Sequence, residues 1–230
     1  MKRNQDYKNA ALAALKGRWA PALVSSIVIF ALAIILIAPT AVLEGAAMAA
    51  VDMGHATVAT AVTGIVSFAL IMLLPIFFYY PLCYIGYSNT FNQLLTCGDD
   101  RLTANMFSNT FKGYWRNVWA CFLMMLFTSL WMLLLIIPGI VKAFAYSMTP
   151  YILKDNPELT ANQAINLSVK MMKGHKFDLF YLELSFIGWG ILSVFTLGLG
   201  YLWLMPYMYT SMAAFYQDVK NDYINNITNL

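Results

Sequence analysis

Residues 117–141 read NVWACFLMMLFTSLWMLLLIIPGIV, and none of these side chains carries a charge. As a helix rising about 1.5 Å per residue, this stretch is long enough to cross the roughly 30 Å hydrocarbon core of a membrane. Residues 19–43 and residues 56–95 are also long, apolar and uncharged. Three runs of this kind predict a polytopic membrane protein built from α-helices.

The composition indicates the same class. Of the 230 residues, 60% are hydrophobic and only 11% are charged. Soluble domains carry roughly 25% charged residues, and a soluble fold of this length has too little interior for so much apolar surface. The first apolar run follows the hydrophilic residues 1–18 and is too long for the core of a cleavable signal peptide, so we interpret it as a membrane span.

A short pattern recurs along the chain. Leu-Thr-Ala-Asn occurs at 102–105 and again at 159–162, and a Lys-Gly pair follows each copy, at 112–113 and at 173–174. A third Lys-Gly pair stands at 16–17. In each case a short helix-forming segment precedes the pair and an apolar run follows it. This shared order predicts an internal repeat of three units, covering about residues 5–95, 96–153 and 154–220.

The segment 160–173 has the features of an amphipathic helix. Thr160 and Gln163 form a capping box, and Gly174 suits the position after the helix because glycine tolerates a positive φ. On a helical wheel, the polar side chains share one arc opposite the apolar ones. That polar arc consists of Asn162, Gln163, Asn166, Lys170 and Lys173. Two placements stay open: flat in the membrane interface with the lysines toward headgroups, or docked on the protein's own helical bundle.

We expect a transmembrane hairpin after each Lys-Gly pair, giving six spans in one all-α domain over residues 1–230. The expected spans are 19–43, 58 to about 80, about 115–137, 138–153, 178–196 and 199–217. All 14 lysines and arginines except Lys142 then lie on one side. The positive-inside rule places that side, and both termini, in the cytoplasm. A four-span arrangement puts the Lys-rich segment 154–176 outside and disagrees with the rule.

Prolines mark two irregular parts of this topology. Pro75 and Pro81 are expected to kink the second span. The fourth span, with its turn at Pro138 and Gly139, covers only about 24 Å if it ends at residue 153. It is therefore short, or begins before Pro138, or is re-entrant.

Two ionisable residues inside predicted spans are the candidate functional residues, because burying such a group in a membrane is costly. Glu183 lies about five residues inside the fifth span. A side chain at that depth can also reach the headgroup region or cap a surface helix. Lys142 lies about one turn from the outer end of the fourth span, where a long side chain can snorkel outward. We expect no ion pair between them, since they approach opposite faces of the membrane.

Motifs for catalysis or cofactor binding do not occur in the sequence. Glycine-rich phosphate loops, nucleophile–base arrangements and Cys/His clusters are lacking, so we expect neither an enzyme nor a cofactor or metal site. His55 and His175 each stand without a second metal ligand nearby. The polar patch of Asn89, Asn92 and Gln93 is interpreted as the exit of the second span from the membrane. The net charge of +3 is accounted for by the basic rim, so the expected partners are the lipid bilayer and a membrane protein, not nucleic acid.

Four stretches carry a resemblance to a known family. They are ALAALKGRW at 11–19, the long block from LLIIPGIVKAF to MMKGHKFDLF at 134–180, LSFIGWGIL at 184–192, and TLGLGYLWLMPYMYTSMAAFYQDV at 196–219. The chain resembles the bacterial integral membrane family called domain of unknown function 975. The resemblance implies a protein of the bacterial inner membrane and implies no activity.

Two hypotheses for the function follow. The leading one is a non-enzymatic scaffold or accessory subunit, since the chain lacks catalytic motifs and carries an amphipathic helix on its basic side. The alternative is a small-solute or lipid transporter or channel, because of the repeat, the prolines and the two charges inside spans. The alternative predicts a polar path through the bundle that contains Glu183 or Lys142, whereas the scaffold tolerates replacement of both.

Overall fold

The computed structural model describes residues 2–54 and 57–228, and these form helices without any strand. His55 lies outside the described residues. The α-helices are α1 Asn4–Leu15, α2 Trp19–Asp52, α3 Val58–Leu74, α4 Ser88–Cys97, α5 Leu102–Phe111, α6 Tyr114–Leu134, α7 Ile136–Tyr146, α8 Thr149–Asp155, α9 Ala161–Met171, α10 Lys176–Phe195 and α11 Tyr201–Thr228. Two π-helical segments, Pro75–Tyr79 and Leu82–Tyr87, join α3 to α4.

Five helical stretches in the described part of the chain are long and apolar enough to cross a membrane. They are Trp19–Asp52, Thr60–Cys97, Tyr114–Leu134, Ile136–Asp155 and Lys176–Phe195. Many of their large side chains face outward, as for Leu133 and Phe195, which are 86% and 81% exposed. Outward apolar faces of this kind suit lipid rather than water as the surroundings, so the protein is an α-helical membrane protein.

The last helix, α11, is long but less apolar than these five. It packs against α1, α2, α4 and α10, which makes it the central helix of the bundle. Its buried side chains include hydroxyl and aromatic groups, namely Thr210, Ser211, Phe215 and Tyr216. Because these groups meet protein rather than lipid, α11 needs less apolar character than the outer helices.

The first long helix extends further than the sequence predicts. Residues 44–52, expected as part of an outer loop, continue α2 as far as Asp52. They read EGAAMAAVD, which is rich in alanine and lacks proline, so the helix has no local reason to stop at residue 43. Gly54, with φ at +79°, follows its end.

The prolines of the second long helix shift its hydrogen bonds without breaking it. Pro75 opens one π-helical segment and Pro81 immediately precedes the other. Proline lacks the N–H for the regular i→i−4 bond, and a π turn is one way in which the chain absorbs that loss. The helix therefore continues to Cys97 and ends at Gly98, which is left-handed with φ at +67°.

The turn between α6 and α7 falls at Leu135, three residues before the expected position at Pro138. Leu135 is extended, with φ at −157° and ψ at 132°. Pro138 then lies in the first turn of α7, where a missing N–H leaves no helical bond unmade. Of the alternatives for this span, the structure shows an earlier start, at Ile136, and a break between α7 and α8.

Each Lys-Gly glycine separates a short helix from a long one. Gly17, Gly113 and Gly174 have φ values of +77°, +73° and +93° and lie between α1 and α2, α5 and α6, and α9 and α10. Glycine adopts this left-handed conformation without the strain that a Cβ atom brings. The three short helices pack on the bundle at the end that carries most of the basic residues.

Candidate functional site

A partly open cavity of about 580 Å³, here called the Glu183 cavity, lies between the helices of the bundle. It lies between the π-helical segments and helices α6, α7, α8, α10 and α11. Methionine side chains and the hydroxyl groups of tyrosine, serine and threonine dominate its lining. They include Tyr80, Tyr84, Ser88, Met124, Met125, Thr128, Ser129, Tyr151, Met208, Tyr209 and Met212. The cavity is therefore mostly apolar, with scattered hydrogen-bonding groups.

Among the described residues, Glu183 supplies the only carboxylate of this lining. It is the eighth residue of α10, about 10 Å along the helix from Lys176. Its side chain is half-buried, and it takes part in none of the ion pairs and side-chain hydrogen bonds found among the described residues. The structure thus places Glu183 on a cavity inside the bundle, where it neither caps a neighbouring helix nor pairs with a cation.

Lys142 lies away from this cavity. Its Nζ atom stands 4.9 Å from the centre of the Trp131 ring, a cation–π contact between α7 and α6. The side chain is half-buried. We expected no ion pair between Lys142 and Glu183, and none of the ion pairs among the described residues joins them.

The capping box of the amphipathic segment forms at the start of α9. Gln163 N donates to Thr160 Oγ1 at 3.4 Å, and Thr160 N donates to Gln163 Oε1 at 2.8 Å. Lys170 and Lys173 are exposed, and Gly174 ends the segment. The opposite side of α9 is buried against α6, α7 and α8 through Ala161, Ala164, Ile165, Ser168 and Met171. The structure thus shows α9 docked on its own bundle, a placement that is compatible with contact between its exposed lysines and lipid headgroups.

Ser168 fastens α9 to the break between α7 and α8. Its hydroxyl donates to the Ala145 carbonyl oxygen at 2.7 Å and accepts from the Met148 N–H at 3.2 Å. The side chain is fully buried. These two hydrogen bonds satisfy backbone groups that the interrupted helix leaves free.

A second, polar cavity of about 210 Å³ was not anticipated from the sequence. It is called the basic pocket here, and its charged lining residues are Lys112, Arg116 and Lys154. The other polar lining residues are Asn89, Gln93, Ser108, Asn109 and Asn117. They come from α4, α5, α6 and α8, which meet at the end of the bundle where the short helices pack. Of the polar patch interpreted as a membrane exit, Asn89 and Gln93 line this cavity, whereas Asn92 Oδ1 accepts a hydrogen bond from Gln217 Nε2 at 2.7 Å.

Backbone carbonyl groups of the α8–α9 connection hold the Arg116 guanidinium. Its Nη2 donates to the Leu153 oxygen at 2.7 Å, and its Nη1 donates to the Pro157 oxygen. The Nε atom is buried and has no hydrogen-bond partner in the described residues. Backbone oxygens thus hold Arg116 in place, and none of the ion pairs among the described residues involves it.

Further polar atoms in the basic pocket are buried and unpartnered. Among the described residues, no hydrogen-bond partner is present for Lys154 Nζ, Asn89 Oδ1 or Asn117 Oδ1. The amide groups of both asparagines are anchored, because Asn89 Nδ2 donates to the Pro150 oxygen and Asn117 Nδ2 to the Thr110 oxygen, each at 2.9 Å. The free oxygens of the two asparagines are consequently held in fixed positions.

Other polar side chains near this end of the bundle have carboxylate partners. Lys220 Nζ forms an ion pair with Asp155 Oδ2 at 2.5 Å, and His175 Nε2 lies within hydrogen-bonding distance of Asp222 Oδ2, at 3.1 Å. These contacts join the C-terminal part of α11 to α8 and to the start of α10. In the described residues, no group of three or more His, Cys, Asp or Glu side chains is placed to hold a metal ion.

One known family matches this chain, and its description is "Protein of unknown function (DUF975)". The match covers residues 107–222, which include Arg116, Lys154 and Glu183. Neither a curated protein nor a solved structure matches the chain. Since the match extends over half of the 230 residues, the chain belongs to the DUF975 family.

Proposed function

We propose a multi-pass protein of the bacterial plasma membrane with six spans and both termini in the cytoplasm. The sixth span is α11, whose 28 residues reach about 42 Å as a helix. The pair His175–Asp222 supports it, because α11 returns beside the start of α10 and thus runs its full length. The basic residues gathered at one end of the bundle support the cytoplasmic orientation.

The same proposal includes three repeat units, each a short helix, a Lys-Gly turn and a hairpin. Its support is the shared left-handed glycine at Gly17, Gly113 and Gly174, each followed within three residues by a long helix. Parallel repeats of this kind occur in some transporters, which is an analogy of fold and carries no function with it.

For the molecular function we propose a non-enzymatic carrier that binds an amphiphilic small molecule or lipid in the Glu183 cavity. The observation that carries this proposal is the position of Glu183 on a cavity of about 580 Å³ between the helices, without a partner in the described residues. A carboxylate removed from water is costly unless it is neutralised or hydrogen-bonded. A bound molecule that brings an amine or hydroxyl groups to Glu183 supplies that compensation.

The rest of the cavity wall fits the apolar part of such a molecule. Methionines line it on two sides, at Met124 and Met125 of α6 and at Met208 and Met212 of α11. Methionine is flexible and polarizable, so it adapts to apolar ligands of different shapes. The ring hydroxyls of Tyr84 and Tyr209 offer further hydrogen bonds deeper in the bundle.

Native mass spectrometry of the protein extracted in mild detergent from its host membrane tests this proposal. We expect the wild type to retain a non-protein mass and Glu183→Gln to retain much less of it. Glu44→Gln is the matched control, because Glu44 lies on α2 and lines neither cavity. Equal retention by wild type and Glu183→Gln, or no retained mass in either, contradicts the carrier.

Filling the cavity provides an independent test that leaves Glu183 in place. Ala143→Phe adds a ring to the cavity wall, whereas Val141→Phe adds one to the outward side of the same helix. We expect the first variant to lose the retained molecule and the second to keep it. The opposite pattern shows that the molecule binds outside the Glu183 cavity.

A scaffold or accessory subunit is the second proposal, and the exposed polar side of α9 supports it. Asn162, Asn166 and Lys170 face outward there while the apolar side is already buried, so a protein partner would contact the polar side. Crosslinking in native membranes tests this. Lys170→Glu with Lys173→Glu should remove a stoichiometric partner, whereas Lys16→Glu, also exposed, should not. If the double variant retains the partner, the partner does not bind the polar side of α9.

A further inference from the structure

We propose that the basic pocket binds a phosphate group that bears a neighbouring hydroxyl, as in a glycerol phosphate. The group comes either from a soluble phosphate ester or from the headgroup of a lipid. This inference rests on Lys112, Arg116, Lys154 and the two asparagines beside them, and it does not depend on the Glu183 cavity.

The charge of the basic pocket indicates an anion. Within the described part of the chain, no carboxylate oxygen lies within 4.0 Å of a nitrogen of Lys112, Arg116 or Lys154. Arg101 and Lys220, by contrast, have carboxylate partners at 3.2 Å and 2.5 Å. Three cations around one small cavity repel each other unless an anion lies between them.

Lys154 is the residue whose environment most needs a ligand. Its Nζ atom is buried, and no hydrogen-bond partner for it exists among the described residues. A buried ammonium group without a partner loses its hydration and gains nothing in return. A phosphate oxygen in the pocket would provide both a charge-assisted hydrogen bond and the opposite charge.

The two asparagines indicate which chemical group lies next to the phosphate in the bound molecule. Asn89 is 0% exposed and Asn117 is 2% exposed, both residues line the pocket, and the Oδ1 atom of each has no hydrogen-bond partner among the described residues. An amide oxygen accepts hydrogen bonds and repels a bare anion. A hydroxyl group next to the phosphate donates to such an oxygen, so the pocket favours a hydroxyl-bearing phosphate ester over sulfate.

The pocket also has an entrance on the correct side for either source. Lys112 is exposed at the end of α5, whereas Lys154 lies deeper, on α8. The α5–α6 turn at Gly113 and the α8–α9 connection flank the cavity, at the end of the bundle that carries the basic residues. A ligand can therefore arrive from water or from the lipid headgroup layer.

Thermal unfolding of the purified protein in a neutral detergent tests the proposal. One probe is glycerol 3-phosphate, compared with chloride at the same ionic strength. The other is phosphatidylglycerol added to the micelles, compared with phosphatidylcholine. We expect one of the two phosphate probes to raise the melting temperature in a saturable way. A shift with glycerol 3-phosphate identifies a soluble source, and a shift with phosphatidylglycerol alone identifies a lipid source.

Variants assign the shift to the pocket. Lys154→Met and Lys112→Gln should each weaken binding about tenfold or more, because each removes one charge-assisted hydrogen bond. Lys112 is exposed, so its variant tests the pocket even if Lys154→Met fails to fold. Lys173→Gln is the control, since Lys173 is exposed near the same end and does not line the pocket. No shift with either probe, or equal shifts in Lys112→Gln and Lys173→Gln, overturns the proposal.

Discussion

Asn89 Nδ2 donates a hydrogen bond to the carbonyl oxygen of Pro150 at 2.9 Å, and this contact lies between the two cavities. Asn89 lines the basic pocket, whereas its neighbour Ser88 lines the Glu183 cavity. On the other side of the contact, Tyr151 lines the Glu183 cavity and Lys154 lines the basic pocket. The contact between α4 and α8 thus forms the wall that separates the two cavities.

Removal of the Asn89 amide should loosen this wall. Asn89→Ala leaves the buried Pro150 oxygen without its donor, and we expect a loss of about 1–3 kcal/mol in the free energy of unfolding. Asn166→Ala, on the exposed side of α9, should change it by less than about 0.5 kcal/mol. Thermal unfolding of both variants in the same detergent measures the difference. Equal melting temperatures would show that the hydrogen bond does not stabilise the fold.

Gly86 should not tolerate alanine. A Cβ atom there would lie 2.1 Å from Thr110 Oγ1 and 2.7 Å from the Met106 carbonyl oxygen, so α5 must move away from the π-helical segment. We expect Gly86→Ala to destabilise the protein by about 1–3 kcal/mol, as for other overpacked sites. Gly64 on the same long helix is the control, because a Cβ atom there meets nothing within 4 Å. Gly64→Ala should be neutral or slightly stabilising, and an equal loss in both variants would refute the close contact.

The N-terminal helix should be held more weakly in acid. Tyr7 Oη donates to Asp218 Oδ2 at 2.7 Å, and Lys2 N donates to the same oxygen at 3.0 Å. Burial alone would raise the pKa of Asp218, but these hydrogen bonds outweigh it and hold the pKa below its usual value. A carboxyl with a lowered folded-state pKa stabilises the fold above its unfolded pKa, about 3.9, and loses that contribution as the pH falls.

We therefore expect the melting temperature to fall as the pH is lowered from about 5 to 3. At pH 7, Tyr7→Phe should lower the free energy of unfolding by about 1 kcal/mol. The melting temperature of this variant should also decrease less steeply in acid than that of the wild type. Tyr181→Phe is the control, because Tyr181 is exposed on α10. A pH profile of Tyr7→Phe that runs parallel to the wild type would contradict the coupling of Tyr7 to Asp218.

Cysteine labelling reports the topology. Cys97 is exposed at the end of α4, whereas Cys121 is buried and Cys83 is half-buried. A membrane-impermeant maleimide should label Cys97 in inside-out vesicles and not in intact cells. In a Cys97→Ser background, Asn226→Cys should behave in the same way, and Leu199→Cys should be labelled in intact cells. Labelling of Asn226→Cys from outside would exclude the crossing by α11.

The membrane class follows from the sequence because lipid-facing helices need long uncharged runs, which are visible in one dimension. For the same reason Glu183 is found as a candidate, as an acid that interrupts such a run. Uncharged runs do not predict the extension of α2 to Asp52 or the turn at Leu135. They depend on helix propensity and on close packing, such as Gly139 against Met132, where an added Cβ would lie 2.9 Å from the Met132 Cα atom.

The basic pocket cannot be predicted from the sequence either, for a different reason. Asn89, Arg116 and Lys154 lie far apart in the sequence, and no regular spacing links them. Each looks like an ordinary residue at the end of a span, where lysines, arginines and asparagines are common. Only the packing of α4, α6 and α8 brings the three side chains around one cavity.

The decisive measurement for the carrier is an electron cryomicroscopy structure of the protein in nanodiscs made directly from its host membrane. The carrier predicts non-protein density in the Glu183 cavity, with a polar group at hydrogen-bonding distance, about 2.6–3.2 Å, from the Glu183 carboxylate. That density should disappear in Glu183→Gln and persist in Glu44→Gln. A cavity without such density in the wild type, or density that Glu183→Gln leaves unchanged, would contradict the carrier.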